Sequence, residues 1–315
     1  MGNRTDWSQR CAVILAGGEG LRLRPLTRRI AGDERPKQFC ALVGPETLLA
    51  QTRRRVGLAV SPDRTALVVT QAHQRFYAPL LADASAACVV VQAKNVGTAP
   101  AILYGLLRVA AMQPAARVAV FPSDHHVSDD RAFMAHVDSA FDAATVRPDL
   151  VVLLGIAPDA AETQYGWIEP GDPLPVGQPG TVSRVRRFWE KPSLAVAQAL
   201  LAKECLWNSF VMVASVPTLL TMTCKAIPGL CETFGPLRAV LGTPVEEQVA
   251  REVYGRSPSR DFSREVLAAR PPNLAVLPVR GVEWTDLGDP RRALATRVRV
   301  GFGRERVAWS LAELA

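Results

Sequence analysis

Short apolar runs rich in β-branched residues alternate with amphipathic stretches of helical period through the first half of this 315-residue chain. That alternation constrains the fold more than any single motif. Strand-like runs fall at 11–16 (CAVILA), 65–70 (TALVVT), 87–91, 117–121 (RVAVF) and 150–154 (LVVLL). Between them, helices are expected at 46–60, 71–84, 98–112 and 130–145. The first would place Leu48, Leu49, Thr52 and Val56 on one face and turn Arg53 to Arg55 to solvent; the third would face Ile102, Leu106 and Val109 inward. Such a chain needs a mostly parallel sheet covered on both faces, with ligands at the carboxyl ends of the strands. From Gln164 the pattern changes. YGWIEPGDPLP and VSRVRRFWEKP read as turn-linked strands ending near Pro192, followed by a helix over 193–203, the strand LWNSFVMVAS, helices with loops over 218–254, and the strand LAVLPV.

One loop in this frame is chemically loaded. Behind the first strand, Gly17, Gly18 and Gly20 are followed by Arg22, Arg24, Arg28, Arg29, Arg35 and Lys37, with Pro25 and Pro36 stiffening the backbone. Glycines let main-chain N–H groups approach phosphate oxygens, and the cations neutralise charge that moves in phosphoryl or nucleotidyl transfer. The loop is not a Walker A motif, since no Lys-Ser/Thr pair follows. Nor is it a dinucleotide fingerprint, because Leu23 stands where the third glycine belongs. A plain strand-to-helix turn with a solvated basic face stays open on the loop alone.

Two further strand ends carry candidates. In QAKNVGTAPAI, Gly97 and Thr98 open a helix whose N-terminus suits a nucleotide, with Thr98 as its N-cap and Pro100 in its first turn. In FPSDHHV, Asp124 just beyond a buried strand suits Mg²⁺, which takes one or two carboxylates plus substrate phosphates. The alternatives there are a capping aspartate or a zinc site, but His73, His125, His126 and His136 lack the spacing of zinc ligands.

Taken whole, GGEGLRLRPLT followed by PKQF resembles the signature of the sugar-1-phosphate nucleotidyltransferases, most like the mannose-1-phosphate guanylyltransferases. The resemblance implies a Rossmann-like, GT-A-like three-layer α/β/α fold with a mixed, mostly parallel sheet. By it, Ala16, Gly17, Gly18 and Gly20 hold the nucleoside triphosphate, Arg22 lies over the β and γ phosphates, and Lys37 reaches the reacting phosphates. Gln92 and the Gly97 backbone face the base, although Gly97 replaces the family's usual Asn. Asp124 matches the metal-binding Asp of a PxDH motif, and VEWTDLGDP resembles GWSDVGSW, which makes Asp286 the second metal carboxylate; a helix-capping role near Arg291 is its plainer alternative. YGWIE and FWEKP resemble YGYI and FxEKP, so that Gly166 lets the backbone approach the sugar, Glu190 accepts from its hydroxyls and Lys191 holds its phosphate. LWNSFVMVAS resembles WNSGMFLF with Asn208 facing the sugar; Phe210 takes the place of the family's glycine, which would narrow or reshape the pocket, and Met212 reads as core. SPSRDFSREVL matches the PSIDYAVME segment only through Asp261 and Phe262.

The implied reaction is NTP, most like GTP, plus a sugar 1-phosphate, most like mannose 1-phosphate, giving NDP-sugar and pyrophosphate with Mg²⁺. Another hexose or heptose phosphate with another base, a non-catalytic nucleotide-sugar sensor, and a dinucleotide-dependent oxidoreductase are the alternatives. Composition agrees with the first. A content of 48% hydrophobic and 21% charged residues is that of a globular protein, no apolar run approaches the ~20 residues of a membrane span, and MGNRTDWSQR lacks a secretory h-region, so the cytoplasm is expected. The net charge of +7 asks for anionic partners; without an aromatic-rich basic patch these are small phosphorylated ligands rather than nucleic acid or membrane. A homodimer is left open. Six cysteines without a C-x-x-C pair read as reduced, mostly buried thiols. Residues 11–300 are expected as one catalytic domain, with a nucleotide half to about 160, a sugar half beyond it, and tails at 1–10 and 301–315. Past Thr296 no hexapeptide repeat or further domain is read.

Overall fold

Strand β1 (Arg10–Leu15) is buried along nearly its whole length, which a strand can be only at the centre of a sheet covered on both faces. A computed structural model describes residues 7–176, 182–269 and 271–302. In it β1 pairs in parallel with β2 (Thr65–Thr70) on one side and β4 (Arg117–Pro122) on the other, and β3 (Val89–Gln92) extends the parallel set beyond β2. The nine-stranded sheet has the order β3-β2-β1-β4-β9-β6-β10-β8-β7. Here β6 is Val151–Ile156, β7 Gly166–Pro173, β8 Ser183–Glu190, β9 Leu206–Ser215 and β10 Leu274–Val279. The sheet is mixed: β9 runs antiparallel to both β4 and β6, and β7 and β8 continue antiparallel at the far edge. A separate ribbon joins β5 (His126–Val127) to β11 (Trp284–Thr285).

Helices cover both faces. The long helix α4 (Thr98–Met112) lies so close on β1 and β2 that a Cβ added at Gly105 would stand 2.6 Å from Val13. The remaining helices are α1 (Arg24–Ala31), α2 (Leu48–Val56), α3 (Gln74–Tyr77), α5 (Asp130–Val146), α6 (Leu194–Ala202), α7 (Val216–Ala226), α8 (Pro228–Phe234), α9 (Glu246–Arg256) and α10 (Pro290–Arg299). The sheet covered on both faces that the alternation predicts, and the Rossmann-like three-layer class that the resemblance implies, are found. Among the described residues no helix is long and apolar enough to cross a membrane.

Four local expectations change. The helix expected over 46–60 is the shorter α2, capped by the Thr47 hydroxyl. Leu48, Leu49, Thr52 and Val56 do face the core, but Arg55 is buried as well, its guanidinium paired with Asp130 at 2.6 Å. The helix expected over 71–84 breaks into short turns around α3, because Pro79 cannot continue it. Two of the cysteines are not reduced thiols: Cys224 and Cys231 form a disulfide between α7 and α8, brought together by the turn at Ile227 and Pro228 rather than by any short motif. Cys11, Cys40, Cys88 and Cys205 are free and buried as expected. The tail expected from 301 lies outside the described residues beyond 302, as do residues 1–6.

Candidate active site

The carboxyl ends of β1, β3 and β4 open on one cleft of about 390 Å³, walled on its other side by β7, β8 and β9. Gly17 and Gly18 supply its floor. A Cβ at Gly17 would lie 2.8 Å from Thr70 Oγ1 and closer still to the Gln92 amide, so only glycine lets this loop settle there. The loop is tied from three directions. Thr70 Oγ1 and Asn95 Nδ2 each donate to the Gly17 carbonyl at 3.2 Å, and Gln38 Nε2 donates to the carbonyls of Ala16 at 3.1 Å and Gly18 at 2.8 Å. The loop is thus fixed largely through its carbonyls, while the Ala16 N–H continues the ladder to Val68 O at 2.7 Å.

Gln92 lines the cleft with its carboxamide oxygen held by the Tyr254 hydroxyl at 3.2 Å. Thr98 is not the N-cap that the sequence suggests. Gly97 caps α4, and the Thr98 hydroxyl accepts the Phe262 N–H at 2.8 Å. Gly97 adopts φ 97° and ψ 178°, a region essentially closed to residues with a Cβ, and a side chain there would run into the Arg260 carbonyl. The segment around Arg260 is drawn onto this corner by the Arg260 N–H to Val96 O bond at 3.0 Å. Gly97 is thus demanded by backbone packing, whatever it does for a base.

The ribbon of β5 and β11 solves the long-range problem. Register pairs Thr285 with His126 and Trp284 with Val127, so Asp286 leaves one strand beside the point where Asp124 enters the other. Lys37 joins them: its Nζ lies 3.3 Å from Asp124 Oδ2 and donates to the Asp286 carbonyl. Asp286 does not cap α10, since Asp289 accepts the Arg291 and Arg292 N–H groups. Instead Asp286 Oδ1 takes Gly288 N at 2.8 Å, Arg292 Nη1 at 3.0 Å and the Tyr165 hydroxyl at 3.0 Å. Burial opposes charge on this carboxyl, but Lys37, His125, the Gly288 amide and Arg292 outweigh it and hold it below the usual aspartate range.

Two ionic carboxylates in one cleft suit a hard divalent cation. All three donors fall on Asp286 Oδ1, which leaves Oδ2 for a metal, and Asp124 faces the same space. Among the described residues no group of three or more His, Cys, Asp or Glu side chains is placed to hold an ion by itself. His136 is tied to Ala132 O and Arg280 N, away from any such group, and His125 stands edge-on against Trp284.

On the opposite wall Gly166, Glu190 and Asn208 converge. A Cβ at Gly166 would lie 3.1 Å from Glu190 Oε2 and 3.3 Å from Asn208 Cβ. Asn208 Oδ1 accepts the Phe210 N–H at 3.1 Å, which leaves its amide N–H groups for a ligand. Burial, followed by the charge of Asp261, raises the Glu190 carboxyl above its ordinary value against the pull of Lys191, Arg264 and Ser263. Lys191 is exposed, with Nζ 3.9 Å from Glu190 Oε1 and a left-handed φ of 50°. It does not line the cleft, and neither do Arg22, Gly20 and Ala16. Arg22 is exposed beside Gly288, Gly20 turns the chain over Lys37 at φ 60°, and Ala16 is buried behind the loop. Asn95, Gln38, Tyr165, Arg292, Asp261 and Ser263 are given no role by the sequence. Gln38 lies inside PKQF, Tyr165 inside YGWIE and Asp261 inside the partly matched SPSRDF segment, so three of the six fall within motifs.

The family pattern described as "Nucleotidyl transferase" matches residues 11–229, which is most of the chain. The chain belongs to the nucleotidyl transferase family. The xanthan biosynthesis protein XanB of Xanthomonas campestris pv. campestris is 38% identical over 200 residues, 62% of this chain and 40% of that relative. A mannose-1-phosphate guanylyltransferase of Sinorhizobium fredii is 32% identical over 284 residues, 88% of this chain and 52% of the relative. The chain thus spans about half or less of the length of these relatives of the family. Among solved structures, the mannose-1-phosphate geranyltransferase of Thermus thermophilus superposes with a TM-score of 0.76 at 30% identity, covering 91% of this chain and 79% of that one.

Proposed function

We propose that the protein transfers a nucleotidyl group from an NTP to a sugar 1-phosphate, releasing pyrophosphate, with GTP and mannose 1-phosphate as its substrates. The observation that carries this reading is the meeting, in one cleft, of a carbonyl-tied glycine loop, the Asp124 and Asp286 carboxylates and the Gly166, Glu190 and Asn208 wall. The phosphates lie along Gly17 and Gly18, and the base lies by Gln92 and the α4 N-terminus, where the helix dipole favours negative charge although the Gly97 and Ala99 N–H groups are taken by Asn95 and Arg260. The sugar lies against Glu190 and Asn208. Its phosphate oxygen is already an anion and needs no general base, so the protein's work is alignment and charge neutralisation as that oxygen attacks the α phosphate in line.

Asp124 and Asp286 would hold Mg²⁺, which would supply positive charge to offset that of the substrate phosphates. Lys37 pairs with the Asp124 carboxylate and donates to the Asp286 main-chain carbonyl, so one cation holds the two aspartate segments together and offsets their charge before substrate arrives. We assign the sugar phosphate to Lys191 and the departing pyrophosphate to Arg22, both exposed cations outside the lining of the cleft. The names of the relatives support mannose and guanosine as the pair. Pyrophosphate release measured with four NTPs against mannose, glucose and heptose 1-phosphates, with and without Mg²⁺, tests this. Release confined to GTP, mannose 1-phosphate and metal is expected; no release with any pair from folded, nucleotide-binding protein would sink the enzymatic reading.

A further inference from the structure

β6 and β9 fall out of step beside the cleft. Leu153 pairs with Met212 and Gly155 with Asn208, so the single residue Leu154 faces three, Ser209, Phe210 and Val211. The side chain of Ser209 replaces the missing ladder: its hydroxyl donates to Leu154 O at 2.6 Å and accepts the Val211 N–H at 3.2 Å. Between these two anchors Phe210 is pushed out of the sheet, its N–H taken by Asn208 Oδ1. Bulges next to active sites commonly re-aim one side chain in this way, and where a bulged residue takes the left-handed conformation it is typically glycine.

Here it is phenylalanine, at φ 64°. A bulky residue in the left-handed region is a true outlier, and such strain persists only where surrounding bonds over-determine it. Ser209 and Asn208 supply those bonds. What the strain secures is position: Phe210 is half-buried, rests on the apolar layer that includes Ile168, Phe188 and Leu206, and presents the rest of its ring to the cleft beside Glu190 and Asn208. The ring offers no hydrogen bond. On the same wall Glu190, Asn208, Asp261 and Ser263 are all polar, so a sugar bound there meets hydrogen-bonding groups on several sides and a flat hydrocarbon surface on one.

We propose that Phe210 is a specificity-determining residue for the sugar substrate, its ring packing on the C–H face of a pyranose 1-phosphate and rejecting sugars that direct a polar or bulky substituent to that face. This deepens the nucleotidyl-transfer reading and rests on it. An aromatic wall strips water from whatever touches it without repaying a hydroxyl, which makes it a filter as well as a platform.

The test compares the wild-type protein with Phe210→Gly and Phe210→Leu by two readouts. Kinetics give kcat and KM for NTP and for mannose, glucose and heptose 1-phosphates, and calorimetry gives equilibrium binding of the same three sugar phosphates to the nucleotide-free protein. Phe210→Gly suits the φ of this position, so the fold is retained; an unchanged KM for NTP confirms that. The expected result is a loss of about tenfold or more in the ratio of kcat/KM between the preferred and rejected sugar phosphates, carried by KM for the sugar, with an intermediate effect for Phe210→Leu. Unchanged selectivity in both readouts would overturn the proposal. If no protein turns over any pair, the enzymatic reading fails, and the binding series alone decides the role of Phe210: a narrowed spread of affinities in Phe210→Gly upholds it and an unaltered spread refutes it.

Discussion

The two walls of the cleft are built on opposite plans. The nucleotide wall stands on parallel strands, and where its loops turn at positive φ, at Gly20 and Gly97, they use glycine; Leu287 beside Asp286, at φ 50°, is the exception. The sugar wall stands on antiparallel strands with register breaks, and its exceptional positions, Lys191 and Phe210, carry full side chains in the left-handed region. Their electrostatics differ in the same sense. Asp286 is held ionised by a cationic surround, whereas Glu190 is pushed toward protonation by burial and by Asp261. The nucleotide wall therefore binds with backbone that tolerates little change, and the sugar wall with side chains on a strained frame that sequence variation can retune.

The most direct way to break this contrast is at the carboxylates that both walls share. Asp124→Ala removes one of two charges available to a cation and leaves Lys37 over Asp286 alone. Turnover is expected to fall by about 10² or more, in line with losses on removing a single transition-state stabiliser, while circular dichroism stays native. Full activity in this variant, or loss of the fold with it, would refute the role given to Asp124. Lys191→Ala is expected to fall comparably, through the sugar phosphate, with KM for NTP unmoved.

Why one wall is more legible than the other follows from these plans. The alternation over 11–154 and the glycine loop are local signals, so the strands, the loop and the site of Asp124 can be read directly. What joins Asp286 to Asp124 is the short β5–β11 ribbon, whose pairing is set by tertiary register that no periodicity announces. Resemblance alone brings Asp286 into the site. Thr98 misleads because a threonine before a helix looks like a cap, and its true partner, the Phe262 N–H, is remote in sequence. Gln38 lies inside the PKQF string, yet its task of bonding two loop carbonyls is visible only in three dimensions. The Cys224–Cys231 bond and the burial of Arg55 are likewise products of packing.

Smaller perturbations sharpen the comparison on the nucleotide side. Gly97→Asn restores the residue the family usually carries, yet at φ 97° and ψ 178° with the Arg260 carbonyl adjacent it is expected to cost about 1–3 kcal/mol of unfolding free energy and to raise KM for NTP. Denaturant titration reads the first quantity; an asparagine variant as stable as wild type would show that this corner is softer than its geometry indicates. Gln38→Ala removes the two bonds that hold the loop from below, worth about 0.5–1.5 kcal/mol each, and should raise KM for NTP without altering KM for the sugar.

Acid separates the walls with the gentlest hand. The folded-state pKa of Glu190 is raised, so as pH falls its carboxylate takes up a proton above the ordinary glutamate range. For stability the sign is favourable in acid: a raised carboxyl costs the fold its charged burial at neutral pH, and that cost begins to shrink as the pH drops through the folded value and is gone below the ordinary glutamate value. For binding the sign is opposite, since a protonated Glu190 accepts fewer hydroxyl donors. Asp286 behaves in reverse; its depressed value keeps it charged through the same window, and its contribution is lost only as pH falls below the ordinary aspartate range. Lowering the pH from neutrality toward the ordinary glutamate range should thus raise KM for the sugar 1-phosphate, by at most about tenfold per unit as for one proton, before KM for NTP moves. Glu190→Gln should bind the sugar more weakly throughout and flatten that dependence. A KM for the sugar that rises just as steeply in Glu190→Gln would assign the titration to another group and remove the electrostatic half of the contrast between the two walls.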